Sequence, residues 1–285
     1  MNRSIMKNLY TDVEYLCSIR PFRNFYNISS LDKAADYIIS QFEGLNINLQ
    51  TYNVNSKKYT NIIASYNIEK KERIIIGAHY DVAGDTPGAD DNASGIAGIL
   101  QIGRFLKTYR PKLNHRVDLA AYTLEEPPFF GTNKMGSYVH AQSLYKKNVK
   151  IKVMICLEMI GYFTDEPDSQ QFPLPFFKFF YPNTGNFIGV VGKVGQSKIT
   201  KKVRDLIKKG SSIPVYSINA PVFLLGVDFS DHRNFWKFGY NAVMITDTAF
   251  YRNPNYHRRT DTIGTLDFER MSEVVKGIYN VVLNI

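Results

Sequence analysis

Residues 74–95 read IIIGAHYDVAGDTPGADDNASG, a buried-strand pattern that runs into an acidic loop. The three isoleucines are typical of a strand that is covered on both faces. His79 follows them closely, and four aspartates come before a helical pattern resumes: Asp81, Asp85, Asp90 and Asp91. Carboxylates this close together repel one another unless a positive charge lies among them. The stretch therefore predicts a strand whose end carries a cation.

Strand and helix patterns alternate on both sides of this stretch. Strands are predicted near 47–53 and 60–66, then at 73–79, 116–123, 150–157, 187–192, 213–218 and 241–246. Helices are predicted at 92–109, 132–146, 196–209, 231–238 and 266–283, after a helical stretch near 30–43. This alternation is typical of a parallel sheet between two layers of helices. We therefore predict an α/β protein with three layers, α/β/α, and a mostly parallel, mixed central β-sheet.

The composition is that of one globular domain. The chain has 285 residues, of which 44% are hydrophobic and 14% aromatic, so it can bury a large core. No internal repeat or long linker divides it. We therefore predict a single domain over residues 1–285, with an N-terminal helical segment of about 1–45 packed on it.

The formal net charge of +9, from 35 basic and 26 acidic residues, raises the question of an anionic partner. The densest basic cluster lies on the amphipathic helical pattern of 196–209 and consists of Lys198, Lys201, Lys202, Arg204, Lys208 and Lys209. This spacing is more typical of a solvated helix face than of a nucleic-acid or membrane-binding patch. The sequence therefore predicts neither nucleic acid nor membrane as a partner.

Cysteine usage and hydropathy favour a cytoplasmic location. There are two cysteines, and Cys156 lies in an apolar strand pattern, so a disulfide framework is not expected. The first residues carry scattered charges and lack the apolar core of a secretory signal. The longest uncharged stretch, 211–227, contains Pro214 and Pro221 and is too broken to span a bilayer. We therefore expect a soluble cytoplasmic protein.

Acidic residues and histidines follow the predicted strands at the edge where the carboxyl ends of those strands meet. They are His79, Asp81, Asp90, Asp91, Glu125, Glu126, Glu158, Asp247 and His257. Ligands of parallel α/β sheets bind at this edge. Two imidazoles among several carboxylates form a mixed nitrogen and oxygen donor set, which suits zinc or its neighbours better than magnesium or calcium.

Each of these residues also has an ordinary explanation. His79 alone could be a hydrogen-bonded structural histidine, and residues 125–126 alone could be a loop pair. Residues 90–91 could cap the helix that follows them. Together these explanations are weak, because the charge of Glu158 at the end of a buried strand has to be neutralised as well. His115 and His140 show no partner pattern, and we predict that both are surface residues.

The motifs resemble those of the M28 family of zinc aminopeptidases. The likeness rests on AHYD at 78–81 and GADDNASG at 88–95, and it extends from about residue 60 to the end of the sequence. The later motifs LEEPPFF, LEMIGYF, SDHRNFW and TDTAFYRNPNYH resemble a bacterial subgroup of that family. The resemblance implies the zinc-aminopeptidase fold, which is of the phosphorylase/hydrolase-like type.

The resemblance also implies two zinc ions bridged by Asp91. His79 and Glu158 would complete one metal site, and Glu126 with His257 the other. The family usually has aspartate where this sequence has Glu158, so the occupancy and metal preference of that site stay open. A non-proline cis peptide bond is expected directly after Asp91.

Further roles follow from the same resemblance. Glu125 matches the general base of the family. Asp81 would hydrogen-bond the imidazole of His79 and fix its tautomer. Tyr256 matches a tyrosine that donates a hydrogen bond to the oxyanion in some relatives, and simple packing is the alternative role for it.

Three features are expected near the substrate. Asp231 and His232 lie at the pocket rim in this interpretation, where they either contact substrate or order the following helix. The aromatic segment 161–186 either walls a pocket for an apolar N-terminal side chain, or covers the core or a dimer contact. Phe229 stands where several relatives carry arginine, so an arginine contact to substrate is not carried over.

The predicted function is that of a metal-dependent exopeptidase. It would be an aminopeptidase that hydrolyses the N-terminal residue of a small peptide or aminoacyl substrate, using a zinc-activated water with Glu125 as general base. Two alternatives stay open, a glutaminyl cyclase-like acyltransferase with a single zinc and a non-catalytic M28-like binding protein. The natural substrate, its residue preference, the metal and the oligomeric state are not readable from the sequence.

Overall fold

The computed structural model describes residues 2–285, in which eight strands form one sheet. The strands are β1 (Asn46–Val54), β2 (Lys57–Tyr66), β3 (Arg73–His79), β4 (Arg116–Tyr122), β5 (Ile151–Leu157), β6 (Ile188–Lys193), β7 (Val215–Ala220) and β8 (Ala242–Thr246). The α-helices are α1 (Asn2–Ser18), α2 (Ile28–Gln41), α3 (Gly95–Tyr109), α4 (Gly136–Lys146), α5 (Ser197–Gly210), α6 (His232–Lys237) and α7 (Phe268–Asn284).

The sheet is mixed and mostly parallel. Its strand order is β1-β2-β4-β3-β5-β8-β6-β7. The four central strands, β4, β3, β5 and β8, run parallel to one another. β1, β2 and the β6–β8 pairing add antiparallel neighbours on either side of them, and β7 forms the last edge in parallel with β6.

Helices cover both faces of the sheet. Ile74 and Ile76 of β3 point into a large core shared with α1, α2, α3, α5 and α7. Ile75, between them, points into a smaller core on the other face, which contains residues of α4 and α6. Successive side chains of a strand face opposite sides, so the apolar run has to be covered twice. The predicted three-layer α/β/α architecture is confirmed.

The parallel centre of the sheet determines where the polar strand ends meet. His79, the last residue of β3, lies opposite Tyr122, the last residue of β4. The backbone N–H of Glu158, directly after β5, donates to the carbonyl of Ile245 in β8 at 3.0 Å. The segments that leave β3, β4, β5 and β8 therefore emerge at one edge, where α/β sheets bind their ligands.

Two predicted helices begin later than the sequence pattern indicates. Residues Ala89–Ser94 form an irregular turn with non-helical backbone angles at Asp91 and Asn92, and α3 begins at Gly95. Helix α4 begins at Gly136 rather than near 132. The segment before it forms turns, in which the backbone N–H of Phe129 donates to the carbonyl of Glu126 and that of Thr132 to the carbonyl of Phe129.

The N-terminal segment forms two amphipathic helices. In α1 the buried apolar residues Ile5, Leu9, Val13 and Leu16 are spaced by three or four positions, which places them on one helix face. This helix packs against α3 and α7. None of the helices within residues 2–285 combines the length and the apolar composition that crossing a bilayer requires.

The prediction that His115 and His140 are surface residues is wrong. Each is only 3% exposed. The Nε2 atom of His115 lies 3.1 Å from the backbone carbonyl of Val282, and Nδ1 of His140 lies 3.0 Å from the hydroxyl of Tyr122. Both histidines satisfy a ring nitrogen inside the core, and their contacts come from residues that are distant or on another element.

The burial of His140 predicts a pH dependence of stability. Burial lowers the pKa of His140 to about 4, whereas a histidine in the unfolded chain titrates near 6.5. The unfolded state therefore binds the proton first, and stability that is present above pH 6.5 is lost as the pH falls toward 4. From pH 7 to pH 5, the protonation of this histidine in the unfolded chain lowers the free energy of unfolding by about 2 kcal/mol.

We expect the difference in free energy of unfolding between the wild type and His140→Gln to shrink by that amount between pH 7 and pH 5. Urea unfolding at several pH values measures it. Tyr122→Phe is the matched control, because it removes the hydrogen-bond partner and keeps the titrating imidazole. A wild-type advantage that is the same at both pH values would contradict the prediction.

Candidate metal centre

His79 presents one ring nitrogen to the polar edge of the sheet. Its Nδ1 lies 3.1 Å from the backbone carbonyl of Asp81, which can only accept, so Nδ1 carries the proton. Its Nε2 is buried and has no hydrogen-bond partner among the described residues. That nitrogen lies 3.2 Å from Oδ1 of Asp91 and 3.4 Å from Oε2 of Glu158. The backbone therefore fixes a tautomer whose Nε2 lone pair points at two carboxylates.

Asp91 lies between two groups of side chains that could bind a metal ion. Its Oδ1 faces His79, and its Oδ2 lies 3.1 Å from Nε2 of His257. The same His257 nitrogen lies 3.2 Å from Oε2 of Glu126. The structure thus brings His79 and Glu158 to one oxygen of Asp91, and Glu126 and His257 to the other.

The turn that carries Asp91 is fixed by hydrogen bonds between side chains and backbone groups. The bond between Asp91 and Asn92 is the expected non-proline cis peptide. The carboxylate of Asp261 accepts the backbone N–H of Asp90 at 2.9 Å and that of Asp91 at 3.1 Å. The side-chain amide of Asn92 donates to the carbonyl of Leu157 at 2.8 Å, which ties the turn to the end of β5.

The carboxylate of Asp81 positions the glutamate pair rather than the imidazole. Its Oδ1 accepts the backbone N–H of Glu125 at 3.2 Å, and its Oδ2 accepts that of Glu126 at 3.1 Å. The carboxylate lies 3.7 Å from Nδ1 of His79, beyond hydrogen-bond length, so the backbone carbonyl of Asp81 makes that contact instead. One residue therefore orients His79 through its main chain and the two glutamates through its side chain.

The donor set fits a divalent cation. Ligand atoms of His79, Asp91 and Glu126 all lie within 4.8 Å of one another. Within the described chain, Nε2 of His79 and Oε1 of Glu126 are buried and make no hydrogen bond. A buried polar atom without a partner is destabilising unless something else satisfies it. Imidazole nitrogen together with carboxylate oxygen is a ligand combination that zinc takes.

The charges of the cluster point the same way. Burial raises the pKa of Glu126 to about 7, and the Asp91 carboxylate adds to this. Burial lowers the pKa of His257, but contacts with Asp91 and Glu126 outweigh it and raise the value to about 10. Without a cation the cluster therefore holds protons at neutral pH, and binding of a metal ion releases them.

Glu125 differs from its neighbour in having no place in either donor group. Its Oε2 lies 4.0 Å from Nε2 of His79. Burial raises its pKa well above the ordinary value, and the nearby charges of Glu158 and Glu126 raise it further against the opposing effect of His79. A buried carboxyl with a perturbed pKa beside a cluster of this kind is a candidate for proton transfer.

Asp231 and His232 are both fully buried. His232 has its Nε2 2.8 Å from the carbonyl of Val227, and its ring packs edge-on against Trp236. This placement favours the alternative in which His232 orders the helix. Burial raises the pKa of Asp231 to about 7, and neither of its oxygens has a hydrogen-bond partner within residues 2–285.

Tyr256 stacks on His257 with ring centres 3.8 Å apart and lines a cavity next to Glu158. Burial raises the pKa of its hydroxyl, so it stays protonated and able to donate. Both roles predicted for it, packing and donation to an oxyanion, are compatible with this position.

Arg23 supports the centre and is missed by sequence reasoning. Its guanidinium is buried and donates to the carbonyls of Tyr80, Pro87 and Gly88, at distances between 2.7 and 2.9 Å, and to that of Leu16 at 3.0 Å. It thereby ties the N-terminal segment to both ends of the loop between β3 and Asp91. A lone arginine in the sequence PFRNF gives no local signal of contacts 57 to 65 residues away.

Sequence comparison finds relatives along most of the chain. A family model described as Peptidase family M28 matches residues 61–282. The chain is 42% identical to the uncharacterized protein YfbL of Escherichia coli (strain K12), over 98% of this chain and 88% of that protein. It is 24% identical to a probable leucine aminopeptidase of Arthroderma otae, over 95% of this chain and 70% of that protein.

Solved structures share the fold. LapA aminopeptidase of Legionella pneumophila aligns with a TM-score of 0.78 at 20% identity, over 98% of this chain and 71% of that one. Glutaminyl cyclase of Bacteroides thetaiotaomicron aligns with a TM-score of 0.75 at 19% identity, over 98% of both chains. These two likenesses concern the fold alone. The family-model match and the 42% identity decide the family, and the chain belongs to peptidase family M28.

Proposed function

We propose that the chain is a zinc-dependent aminopeptidase that binds two zinc ions bridged by Asp91. One observation carries the proposal: the two oxygens of Asp91 face two separate histidine nitrogens, at 3.2 and 3.1 Å, and each nitrogen has a glutamate beside it. A carboxylate placed between two such groups could be shared by two metal sites. Membership of a peptidase family whose relatives include leucine aminopeptidases supports the reaction.

The chemistry divides between the two neighbouring glutamates. Zinc, when bound, lowers the pKa of a water molecule and polarises a carbonyl group. Glu125, which lies beside the proposed metal-binding residues without belonging to either group, would accept the proton of the attacking water and return it to the leaving amine. Glu126 would help to hold the metal, and a carboxylate used in this way would not be available for proton transfer. Asp81 fixes the positions of the two glutamates by accepting their backbone N–H groups.

Glu158 lies beside His79 although its side chain is one methylene longer than the aspartate that the family usually has at this position. Its Oε2 accepts the hydroxyl of Ser230 at 2.6 Å and lies 3.4 Å from the ring nitrogen of His79. The carboxylate is therefore held where a ligand is needed. This geometry supports occupancy of the metal site that His79 and Glu158 share with Asp91.

An apolar cavity beside the centre suits the side chain of an N-terminal residue. Its volume is about 120 Å³, and Glu158 and Tyr256 are among the residues that line it. Its wall is mostly apolar and includes Val191, Ile218 and Met244. Residues of the aromatic segment 161–186 also line it, in agreement with the pocket-wall interpretation of that segment. We infer a preference for peptides with an apolar first residue.

Glu125→Gln is expected to lower kcat/KM by at least about a hundredfold, because the amide cannot accept the proton. Hydrolysis of a leucyl chromogenic substrate measures the rate, and elemental analysis should find zinc bound as in the wild type. Glu126→Gln is the matched control, and it should lose zinc as well as activity. Hydrolysis that survives both Glu125→Gln and chelation would refute the mechanism.

Val191→Phe is expected to reduce kcat/KM for a leucyl substrate by about tenfold relative to an alanyl substrate, because the larger ring fills the cavity. Paired assays of the two substrates measure the ratio. Val194→Phe provides the control, since Val194 is 63% exposed and lies outside the cavity wall. An unchanged substrate ratio would show that this cavity does not receive the first side chain.

Arg23→Lys is expected to weaken zinc binding by about tenfold, because an ammonium group cannot reach all the carbonyls that the guanidinium holds. Competition with a chelator measures the affinity. Arg104→Lys is the matched control, since Arg104 also holds the N-terminal segment, through Asp12, and makes no hydrogen bond to the metal-binding loop in the described structure. Equal zinc affinity in the two variants would contradict the role assigned to Arg23.

Two alternative functions can be tested with the same purified protein. A glutaminyl cyclase-like acyltransferase with one zinc has the same fold in its favour. The complete donor group of His79 and Glu158 argues for a second metal. One equivalent of zinc together with pyroglutamate formation would establish the cyclase. A non-catalytic binding protein would bind no zinc or hydrolyse nothing, although each of the five positions carries a residue able to bind metal.

A further inference from the structure

A group of large apolar side chains stands exposed next to the edge strand β7. Phe179 and Phe223 are each 87% exposed, and Phe180 is 71% exposed. Leu174, Phe176 and Leu225 are 40 to 55% exposed, and the rings of Phe176 and Phe180 lie 6.5 Å apart. Leu174 and Phe176 from one loop and Phe223 from another line the same groove, so the two loops form one surface. We call Leu174, Phe176, Phe179, Phe180, Phe223 and Leu225 the aromatic surface.

The fold does not need this surface for its own packing. The loop that contains Phe179 is anchored by inner rings: Phe177 packs on Tyr181 at 6.0 Å, and Tyr181 packs on Tyr216 of β7 at 6.2 Å. The hydroxyl of Tyr181 also donates to the carbonyl of Ser217. The inner rings hold the loop while the outer ones face solvent. A contiguous exposed apolar patch of this kind marks a binding surface.

Basic residues border the aromatic surface. Lys201 and Arg204 of α5 line the same groove as Phe176 and Phe223, and Lys178 lies in the loop between Phe177 and Phe179. Arg204 also pairs with Asp205 at 2.7 Å. The remaining lysines of α5 extend the positive charge along the helix, and those exposed are Lys198, Lys202, Lys208 and Lys209. Large apolar side chains thus project beside a band of cations.

We infer that the aromatic surface docks on an anionic lipid bilayer. The phenylalanine rings would enter the interfacial region, and the lysines of α5 and Lys178 would contact the anionic headgroups. Apolar side chains combined with neighbouring cations are what peripheral binding to such a membrane requires. This revises the expectation that the α5 lysines are only a solvated face, because the sequence does not show that Phe176 and Phe223 lie beside them.

The charge pattern selects the bilayer over a second copy of the chain. A two-fold contact through this surface would bring like-charged residues of the two copies close together, among them Lys178 and Lys201. An anionic lipid surface turns the same charges into attractions. The inference does not rest on the metal centre, although Phe177 and Leu224 line both the groove and the apolar cavity, so docking would bring the cavity near the bilayer.

Co-sedimentation of the full chain with vesicles tests the inference. We expect binding to vesicles of phosphatidylcholine with one quarter phosphatidylglycerol, and much weaker binding to phosphatidylcholine alone. Phe179→Ser with Phe223→Ser should reduce the partition coefficient at least about tenfold, since two rings no longer leave water. Lys201→Glu with Lys178→Glu should reduce it by a similar factor. The thermal midpoint of each variant verifies that it is folded.

Matched controls lie away from the aromatic surface. Ile68→Ser removes another exposed apolar side chain, and Lys150→Glu reverses another exposed lysine, so neither should change the binding. In Phe179→Trp, the new indole should show a blue-shifted emission on addition of the anionic vesicles, because the single native tryptophan, Trp236, is buried.

Three results would overturn the inference. The first is equal binding to neutral and anionic vesicles, or none to either. The second is self-association in analytical ultracentrifugation that the Phe179→Ser, Phe223→Ser variant abolishes, which would assign the surface to a second copy. The third is binding of a single-stranded oligonucleotide, with no vesicle binding, that Lys201→Glu with Lys178→Glu removes.

Discussion

The arrangement of the polar edge depends on the position of one carboxylate. Asp91 turns its two oxygens toward two imidazoles that come from separate parts of the chain, His79 at the end of β3 and His257 after β8. Glu158 and Glu126 stand next to those imidazoles. So many buried carboxyl groups in one place would repel one another if all were ionised. The fold tolerates the cluster because a cation, or protons in its place, balances the charge.

The groups that hold this cluster act mainly on the main chain. Asp81 accepts the backbone N–H groups of Glu125 and Glu126, and Asp261 accepts those of Asp90 and Asp91. Arg23 donates to backbone carbonyls of the loop that leads to the turn. Side chains carried on backbone fixed in this way have little freedom to rearrange. A ligand set that is preorganised loses less entropy when it binds its ion.

Alternating strand and helix patterns were sufficient to predict the central sheet, because apolar runs such as Ile74 to Ile76 must be covered on both faces. The side chains that meet at the polar edge were proposed as metal ligands from their types and from the family motifs, and the structure brings them together. The cis bond after Asp91 was predicted from the resemblance alone. Arg23 and Asp261 could not be predicted, since their partners are distant in sequence and their local sequences are ordinary. The same holds for His140, which meets Tyr122 only in the folded chain.

The distance along the sequence between Asp91 and the residues that contact it has a consequence for biosynthesis. The backbone N–H of Asp91 is held by Asp261, 170 residues further along the chain, and His257 comes from the same late segment. Until that segment has left the ribosome, the growing polypeptide lacks one imidazole and the carboxylate that clamps the turn. A partly synthesised chain therefore cannot complete this cluster of side chains before residues 257 to 261 have emerged from the ribosome.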